Sequence, residues 1–213
     1  MTSNRIILAS ASPRRRELLA QLGVAFDVVP SPFAELERKP PGVAPEAWTQ
    51  ALAYFKARAV AEQHTDRWVL GADTIVVCDG RVLGKAATEA EAREMLELQA
   101  RCESRVITGV CLVRLGVRSE RLGGSDTTRV WMHDDATVRE AYLAGGDWQG
   151  KAGAYGLQDV GDRLVARVEG SPSNVVGLPL ELVARLLRSA RVPLCPVTPG
   201  RPPSVPRAGL PGC

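Results

Sequence analysis

Short apolar runs alternate along the chain with amphipathic segments, and glycine, proline or aspartate residues separate them. Apolar runs bounded by turn residues are typical of buried strands, whereas apolar residues at helical spacing indicate helices. The pattern predicts strands over residues 5–9, 68–72, 106–115, 127–132 and 163–168. It predicts helices over residues 13–22, 45–64, 88–98, 135–144 and 180–189, and a hairpin over 74–83 that turns at Asp79-Gly80. The alternation indicates the α/β class.

The C-terminal part of the chain has a different composition. Residues 193–213 contain seven prolines and no acidic residue. Such a segment cannot bury enough apolar surface to offset the entropy lost on folding. We therefore expect one folded domain over residues 1–192 and a proline-rich disordered tail over residues 193–213.

Composition and charge narrow the classes of function. The chain has 213 residues, 45% of them hydrophobic, and a net charge of +3, which is too small to favour nucleic-acid or membrane binding. The N-terminal apolar run is too short for a signal peptide, and no run is long enough to span a membrane. Five cysteines without a CxxC pair predict neither a disulfide framework nor a zinc site. These features predict a cytoplasmic protein with reduced cysteines.

The segment Ser12-Pro13-Arg14-Arg15-Arg16 places three arginines in the first turn of a predicted helix. The N-terminus of a helix carries partial positive charge, so each cation there costs about 0.3–1 kcal/mol. A bound anion would remove this conflict, because free backbone N–H groups and arginine side chains together bind phosphate. The alternative is a solvated basic helix end, which is the interpretation we favour for Arg16.

An acidic residue, Asp73, follows the predicted strand over residues 68–72. In open α/β sheets, ligands bind outside the carboxyl ends of the strands. Asp73 is thus a candidate to hold a divalent metal or to accept a proton from water, and a structural role in capping the next turn is the alternative. Lys56 and Lys85 are candidates to reach the same site, with a surface lysine as the alternative for each.

A glycine-rich loop over residues 150–158 and a polar loop over residues 170–179 follow. Glycine lets the backbone approach a ligand closely. The ring of Tyr155 and the amide of Gln158 are suited to reading the edge of a nucleobase. Either loop alone is a weak signal.

Together these segments resemble the Maf family of nucleotide pyrophosphatases, over about residues 5–190. The matching strings are LASASPRR (8–15), AYFKARA (53–59), GADTIV (71–76), LGK (83–85), ITGV (107–110), KAGAYGLQ (151–158) and SNVVGLPL (173–180). The resemblance implies a Maf/ITPase-like fold, in which helices flank a mixed central sheet and a cleft separates two lobes. It also implies hydrolysis of nucleoside triphosphates to monophosphate and pyrophosphate with a divalent cation, Mg²⁺ or Mn²⁺, and a homodimer.

The resemblance assigns roles to individual residues. It implies a catalytic group of Asp73 as proton acceptor with Glu35 and Lys85, and a metal held by Asp73 and Glu35. The implied substrate-binding residues are Ser10, Arg14, Arg15, Lys56, Thr74, Lys151 and Gln158. Within the family, KAGAYG with Gln158 resembles the subgroup that acts on dTTP and UTP, including modified pyrimidine nucleotides, in nucleotide-pool cleaning.

The chain departs from the family pattern at three positions. Gly150 and Ala34 replace usual acids, and Ala86 replaces a usual proline, so we expect fewer carboxylate ligands around the metal. One alternative function is a 7-methyl-GTP pyrophosphatase, and another is a nucleotide-binding regulator of septum formation with weak catalysis. A nucleotidyltransferase ranks last, because the first strand–helix turn lacks a GxGxR loop.

We expect Gln158→Ala to lower the preference for dTTP over 7-methyl-GTP more than it lowers the unfolding temperature. A site that hydrogen-bonds a substrate amide discriminates strongly, because the wrong base leaves buried polar groups unpaired. The ratio of kcat/KM for the two nucleotides, measured beside a thermal melt, tests this. An unchanged ratio would show that Gln158 does not read the base.

Overall fold

The computed structural model describes residues 5–34, 39–157 and 163–194. Its strands are β1 (Ile6–Leu8), β2 (Phe26–Val28), β3 (Val69–Cys78), β4 (Arg81–Leu83), β5 (Ser104–Arg114), β6 (Glu120–Met132) and β7 (Val165–Glu169). Its helices are α1 (Pro13–Ala20), α2 (Pro45–Ala61), α3 (Glu89–Arg101), α4 (Ala136–Ala144), α5 (Pro172–Val176) and α6 (Leu180–Ser189). Glu35, Gln158 and the tail from residue 195 lie outside the described residues, and none of the described helices is long and apolar enough to cross a membrane.

One mixed sheet organises the chain, in the order β2-β1-β3-β5-β6-β7, with β4 also paired to β3. β1 runs parallel to β2 and β3, and the remaining pairs are antiparallel. β1 pairs with one edge of β3 at Val69 and Leu70, and β4 pairs with the same edge at Val76–Cys78. Because β5 occupies the opposite edge of β3, the described residues leave a gap in strand pairing at residues 71–75. This gap is the floor of a cleft.

Two apolar cores lie on one face of the sheet and form two lobes. In the first lobe, β1, α1 and α6 pack around residues such as Leu8, Leu19 and Leu187. In the second, β4, α3 and α4 pack around residues such as Leu83 and Leu96. The predicted α/β class, mixed sheet and two-lobed architecture are confirmed.

Local sequence explains where several helices begin. The Ser12 and Thr88 hydroxyls accept hydrogen bonds from Arg15 N and Glu91 N, and Asp135 Oδ1 accepts from Thr137 N and Val138 N. These bonds satisfy N–H groups that lack a partner within the helix. At the start of α3 the Glu91 carboxylate also accepts a hydrogen bond, from Ala87 N.

Helix α2 packs on the other face of the sheet at unusually close range. A Cβ atom built at Gly109 would overlap the backbone of Thr49 and Gln50, and one built at Gly71 would overlap the carbonyl of Ala53. Gly109 is the residue of β5 that pairs directly with Asp73 of β3. The absence of a side chain at Gly109 therefore lets α2 reach the sheet next to Asp73.

Some predicted boundaries were wrong. β3 continues without a break through residue 73, so Asp73 lies in the middle of a strand and not at its carboxyl end. The strand carries apolar residues on both sides of Asp73 and Thr74, and pairing with β5 along its whole length keeps it extended. The sequence pattern also missed β2 and α5, which are too short, at three and five residues, to show a clear period.

The prediction of reduced cysteines was wrong for one pair, since Cys78 is bonded to Cys102. Cys78 ends β3 and Cys102 is the C-cap of α3, and their Cα atoms lie 6.8 Å apart. The two residues are 24 positions apart in sequence, and only the folding of the hairpin and α3 brings them together. Cys111 is a buried free thiol whose pKa is raised by burial.

We expect Gly109→Ala to lower the free energy of unfolding by about 1–3 kcal/mol, because the new methyl group forces α2 away from the sheet. Gly84→Ala is the matched control, since a Cβ atom there meets nothing within 4 Å. Urea unfolding monitored by circular dichroism measures both variants. Equal midpoints for the two would contradict the close packing of α2.

Candidate active site

The gap at the edge of β3 opens into a cleft of about 840 Å³. A second cavity of about 440 Å³ adjoins it, and the two share Ser12, Arg14, Arg15, Lys85 and Gly150 in their walls. Asp73 and Arg14 line the same cleft. The structure thus brings the arginine-rich turn and the acid into one cavity.

Asp73 forms a buried ion pair with Lys56. Lys56 Nζ donates to Asp73 Oδ1 at 2.6 Å, and both side chains are more than nine-tenths buried. Lys56 lies on the buried face of α2, among residues that are otherwise apolar or uncharged. The structure therefore rejects two alternatives, because Lys56 is not a surface lysine and Asp73, in mid-strand, does not cap a turn.

Arg15 is held by three separate segments of the chain. Its Nε donates to the Gly177 carbonyl at 2.9 Å, Nη2 donates to Thr74 Oγ1 at 3.0 Å, and Nη1 donates to Ser10 Oγ at 3.5 Å. Arg14 lines both cavities from the same first turn of α1. Arg16 is exposed and lines neither cavity, in agreement with its interpretation as a solvated residue.

The opposite wall combines the β3–β4 hairpin with the glycine-rich loop. Lys85 pairs with Ala152 in an isolated β-bridge, and Gly153 N donates to the Gly84 carbonyl at 2.9 Å. Gln99 of α3 supports this wall, since its Nε2 donates to the Gly153 carbonyl at 2.8 Å. Together these contacts place Lys85 and Lys151 in the wall of the cleft.

Tyr155, expected to read a base, is almost wholly buried. It lines the cleft but is only 4% exposed and belongs to the core of the second lobe. Burial raises the pKa of its phenol well above the ordinary value, so the ring stays neutral at physiological pH. The described geometry makes Tyr155 part of the wall and not an open stacking platform.

Positive charge dominates the two cavities. Their basic lining residues are Arg14, Arg15, Lys39, Lys56, Lys85 and Lys151, whereas Asp73 is the one acidic residue among the described positions. Lys39 was missed by sequence reasoning, and its Nζ donates to the carbonyls of Pro40 and Val43 at 3.2 and 2.7 Å. All four lysines of the chain line the cavities, so the scarcity of lysine is the signal that could have found Lys39.

The described residues contain few side chains that could bind a metal ion near the cleft. Among residues 5–34, 39–157 and 163–194, no three His, Cys, Asp or Glu side chains form a cluster. The predicted second ligand, Glu35, lies outside these ranges. Mg²⁺ is commonly held by one or two carboxylates together with substrate phosphates. Asp73 is therefore the one predicted metal ligand that the described residues place in the cleft.

The sequence is similar to those of one family of known proteins. The Maf-like protein family matches residues 5–190. A dTTP/UTP pyrophosphatase of Moorella thermoacetica is 48% identical over 184 residues, covering 86% of this chain and 94% of that protein. A dTTP/UTP pyrophosphatase of Deinococcus radiodurans is 46% identical over 192 residues, covering 90% and 95%. The chain belongs to the Maf-like protein family.

Proposed function

We propose that this protein hydrolyses dTTP and UTP to the monophosphate and pyrophosphate. The observation that carries the proposal is the buried Lys56–Asp73 pair in the floor of a cleft whose other charged lining residues are basic. Two relatives that share nearly half of their residues with this chain, over most of its length, are named dTTP/UTP pyrophosphatases. Family membership and site chemistry thus support the same reaction.

The charge of the cleft matches a polyphosphate. A nucleoside triphosphate carries about four negative charges, and catalysis of phosphoryl transfer rests mainly on positioning and electrostatic stabilisation. We assign Arg14 and Arg15 on one wall, and Lys85 and Lys151 on the opposite wall, to the phosphates. A cavity of about 840 Å³ is also within the usual range for ligand pockets.

Asp73 is the group that we assign to the attacking water. It accepts the water proton as oxygen attacks the α-phosphorus, and the bond between the α-phosphorus and the bridging oxygen breaks to release pyrophosphate. The hydrogen bond from Lys56 to Oδ1 fixes the orientation of the carboxylate, and the basic side chains stabilise the charge on the leaving group. A Mg²⁺ or Mn²⁺ ion bound to the triphosphate would neutralise part of its charge.

The proposal also concerns the cellular role of the protein and its assembly. We infer a role in cleaning the cytoplasmic nucleotide pool, with dTTP, UTP or modified pyrimidine nucleotides as substrates. A homodimer is the expected assembly. Both points rest on the family and go beyond the geometry of the cleft.

We expect the protein to release pyrophosphate from dTTP and UTP faster than from CTP and 7-methyl-GTP. The release of pyrophosphate should stop when EDTA removes the metal.

Asp73→Asn should lower kcat by about 10²–10⁴, the usual contribution of general-base catalysis. Loss of one partner of a buried ion pair costs about 3–5 kcal/mol. Typical domains have about 5–15 kcal/mol of stability, so the variant should stay largely folded at 25 °C.

Asp66→Asn is the matched control, because Asp66 is exposed and lines neither cavity. Circular dichroism establishes that both variants are folded before their rates are compared. An Asp73→Asn protein that is folded and fully active would remove Asp73 from the mechanism. Absence of pyrophosphate release from every nucleotide would refute the proposed function.

We expect Arg15→Lys to raise the KM for dTTP about tenfold, which corresponds to roughly 1.4 kcal/mol of lost binding. Lysine keeps the charge but cannot contact Gly177, Thr74 and Ser10 at once in the geometry of a guanidinium. Arg16→Lys, one residue further along α1, should behave like the parent. Steady-state kinetics at fixed free Mg²⁺ measures both, and an equal KM would place Arg15 outside the binding site.

A further inference from the structure

A series of hydrogen-bonded hydroxyl groups leads from Arg15 at the wall of the cleft into the protein interior. Arg15 Nη2 lies 3.0 Å from Thr74 Oγ1, which lies 3.0 Å from Thr108 Oγ1, which in turn lies 3.1 Å from the Asn174 carbonyl. Thr74 and Thr108 are directly paired residues of β3 and β5. Thr108 is fully buried and is absent from the described walls of both cavities, so it does not face a ligand.

The chemistry of the groups fixes the direction of these hydrogen bonds. A guanidinium has only donors, and a backbone carbonyl has only acceptor sites. Thr74 therefore accepts from Arg15 and donates its own proton to Thr108, and Thr108 donates to the Asn174 carbonyl. Thr108 is thus the acceptor that keeps the Thr74 hydroxyl turned so that its lone pair faces Arg15.

Helix α5 connects the two ends of this series of hydrogen bonds, so that the contacts form a ring. The Asn174 carbonyl accepts from Thr108, and three residues later the Gly177 carbonyl accepts from Arg15 Nε. Gly177 has φ of +119°, a conformation that favours glycine, and a Cβ atom there would lie 3.5 Å from Thr74 Oγ1.

The side chain of Asn174 anchors α5 to the sheet, because its Nδ2 donates to the Val106 carbonyl and to Thr128 Oγ1, each at 3.0 Å. The two carbonyls that close the ring are therefore held at fixed positions relative to β5 and β6.

We propose that Thr108 is a positioning residue, which orients the Arg15 guanidinium toward the substrate phosphates through the Thr74 hydroxyl. The inference rests on the proposed function for the identity of the anion, but the ring itself is independent of it. Without the Thr108 hydroxyl, the Thr74 proton loses its acceptor and Arg15 loses a fixed partner. The result is weaker binding of the polyphosphate with little change in the chemical step.

The test compares Thr108→Val, which removes the hydroxyl at nearly constant volume, with Thr108→Ser, which retains it. We expect Thr108→Val to raise the KM for dTTP about threefold to tenfold, the usual range for one hydrogen bond, with kcat within about twofold. The dissociation constant of inorganic pyrophosphate, measured by calorimetry, should rise by a similar factor. Thr108→Ser should restore both values.

Thr49→Val is the matched control for loss of a buried threonine hydroxyl. Thr49 is equally buried, but its hydroxyl donates to the Glu46 carbonyl within α2, on the other face of the sheet. It should leave KM and pyrophosphate binding unchanged.

Three outcomes would overturn the positioning role. The first is unchanged KM and pyrophosphate binding in Thr108→Val, the second is failure of Thr108→Ser to restore them, and the third is a loss confined to kcat and thermal stability. If the parent protein binds pyrophosphate but hydrolyses no nucleotide, the proposed function fails while the binding comparison still decides the role of Thr108. If the parent protein does not bind pyrophosphate, the polyphosphate site is wrong and the positioning role falls with it.

Discussion

The ion pair between Lys56 and Asp73 is possible only because the backbone of helix α2 packs directly against the sheet. Moving two charges out of water is unfavourable unless they meet in good geometry. Gly109, beside Asp73, and Gly71 remove the side chains that would hold the helix away. The 2.6 Å contact between Nζ and Oδ1 follows from that approach. The packing of a helix on a sheet thus sets the position of the one described acid in the cleft, and with it any chemistry that uses this carboxylate.

The sheet supplies the second constraint, by leaving β3 uncovered where the acid lies. β1 and β4 pair with opposite ends of the same edge, and each belongs to a different lobe. β3 therefore runs from one lobe into the other and exposes its middle to the cleft. α1 from the first lobe and the hairpin of the second then direct their basic side chains toward the same volume. The cleft needs no additional domain, because the break in strand pairing already creates it.

Much of this arrangement was predictable from sequence, for identifiable reasons. The long helices show strong periodicity, and the conflict of Arg14 and Arg15 with the N-terminus of α1 pointed correctly to the cleft. The sequence argument placed Asp73 in the cleft for a wrong reason, since the acid lies in mid-strand and not at a strand end. The disulfide between Cys78 and Cys102 and the hydroxyl ring behind Arg15 depend on contacts between distant segments. Local pattern carries no information about such contacts, and the roles assigned to Glu35 and Gln158 remain predictions.

The distribution of charge also bears on how products would leave such a site. Basic side chains line opposite walls of the cleft, so an intact triphosphate can contact both walls in one molecule. Contacts joined through one ligand reinforce each other, because binding at the first wall raises the effective concentration at the second. Cleavage next to the α-phosphorus separates the polyphosphate from the nucleoside, and neither product retains all the contacts of the substrate. The same placement of cations on both walls that favours binding of a triphosphate thus favours release of a monophosphate and pyrophosphate.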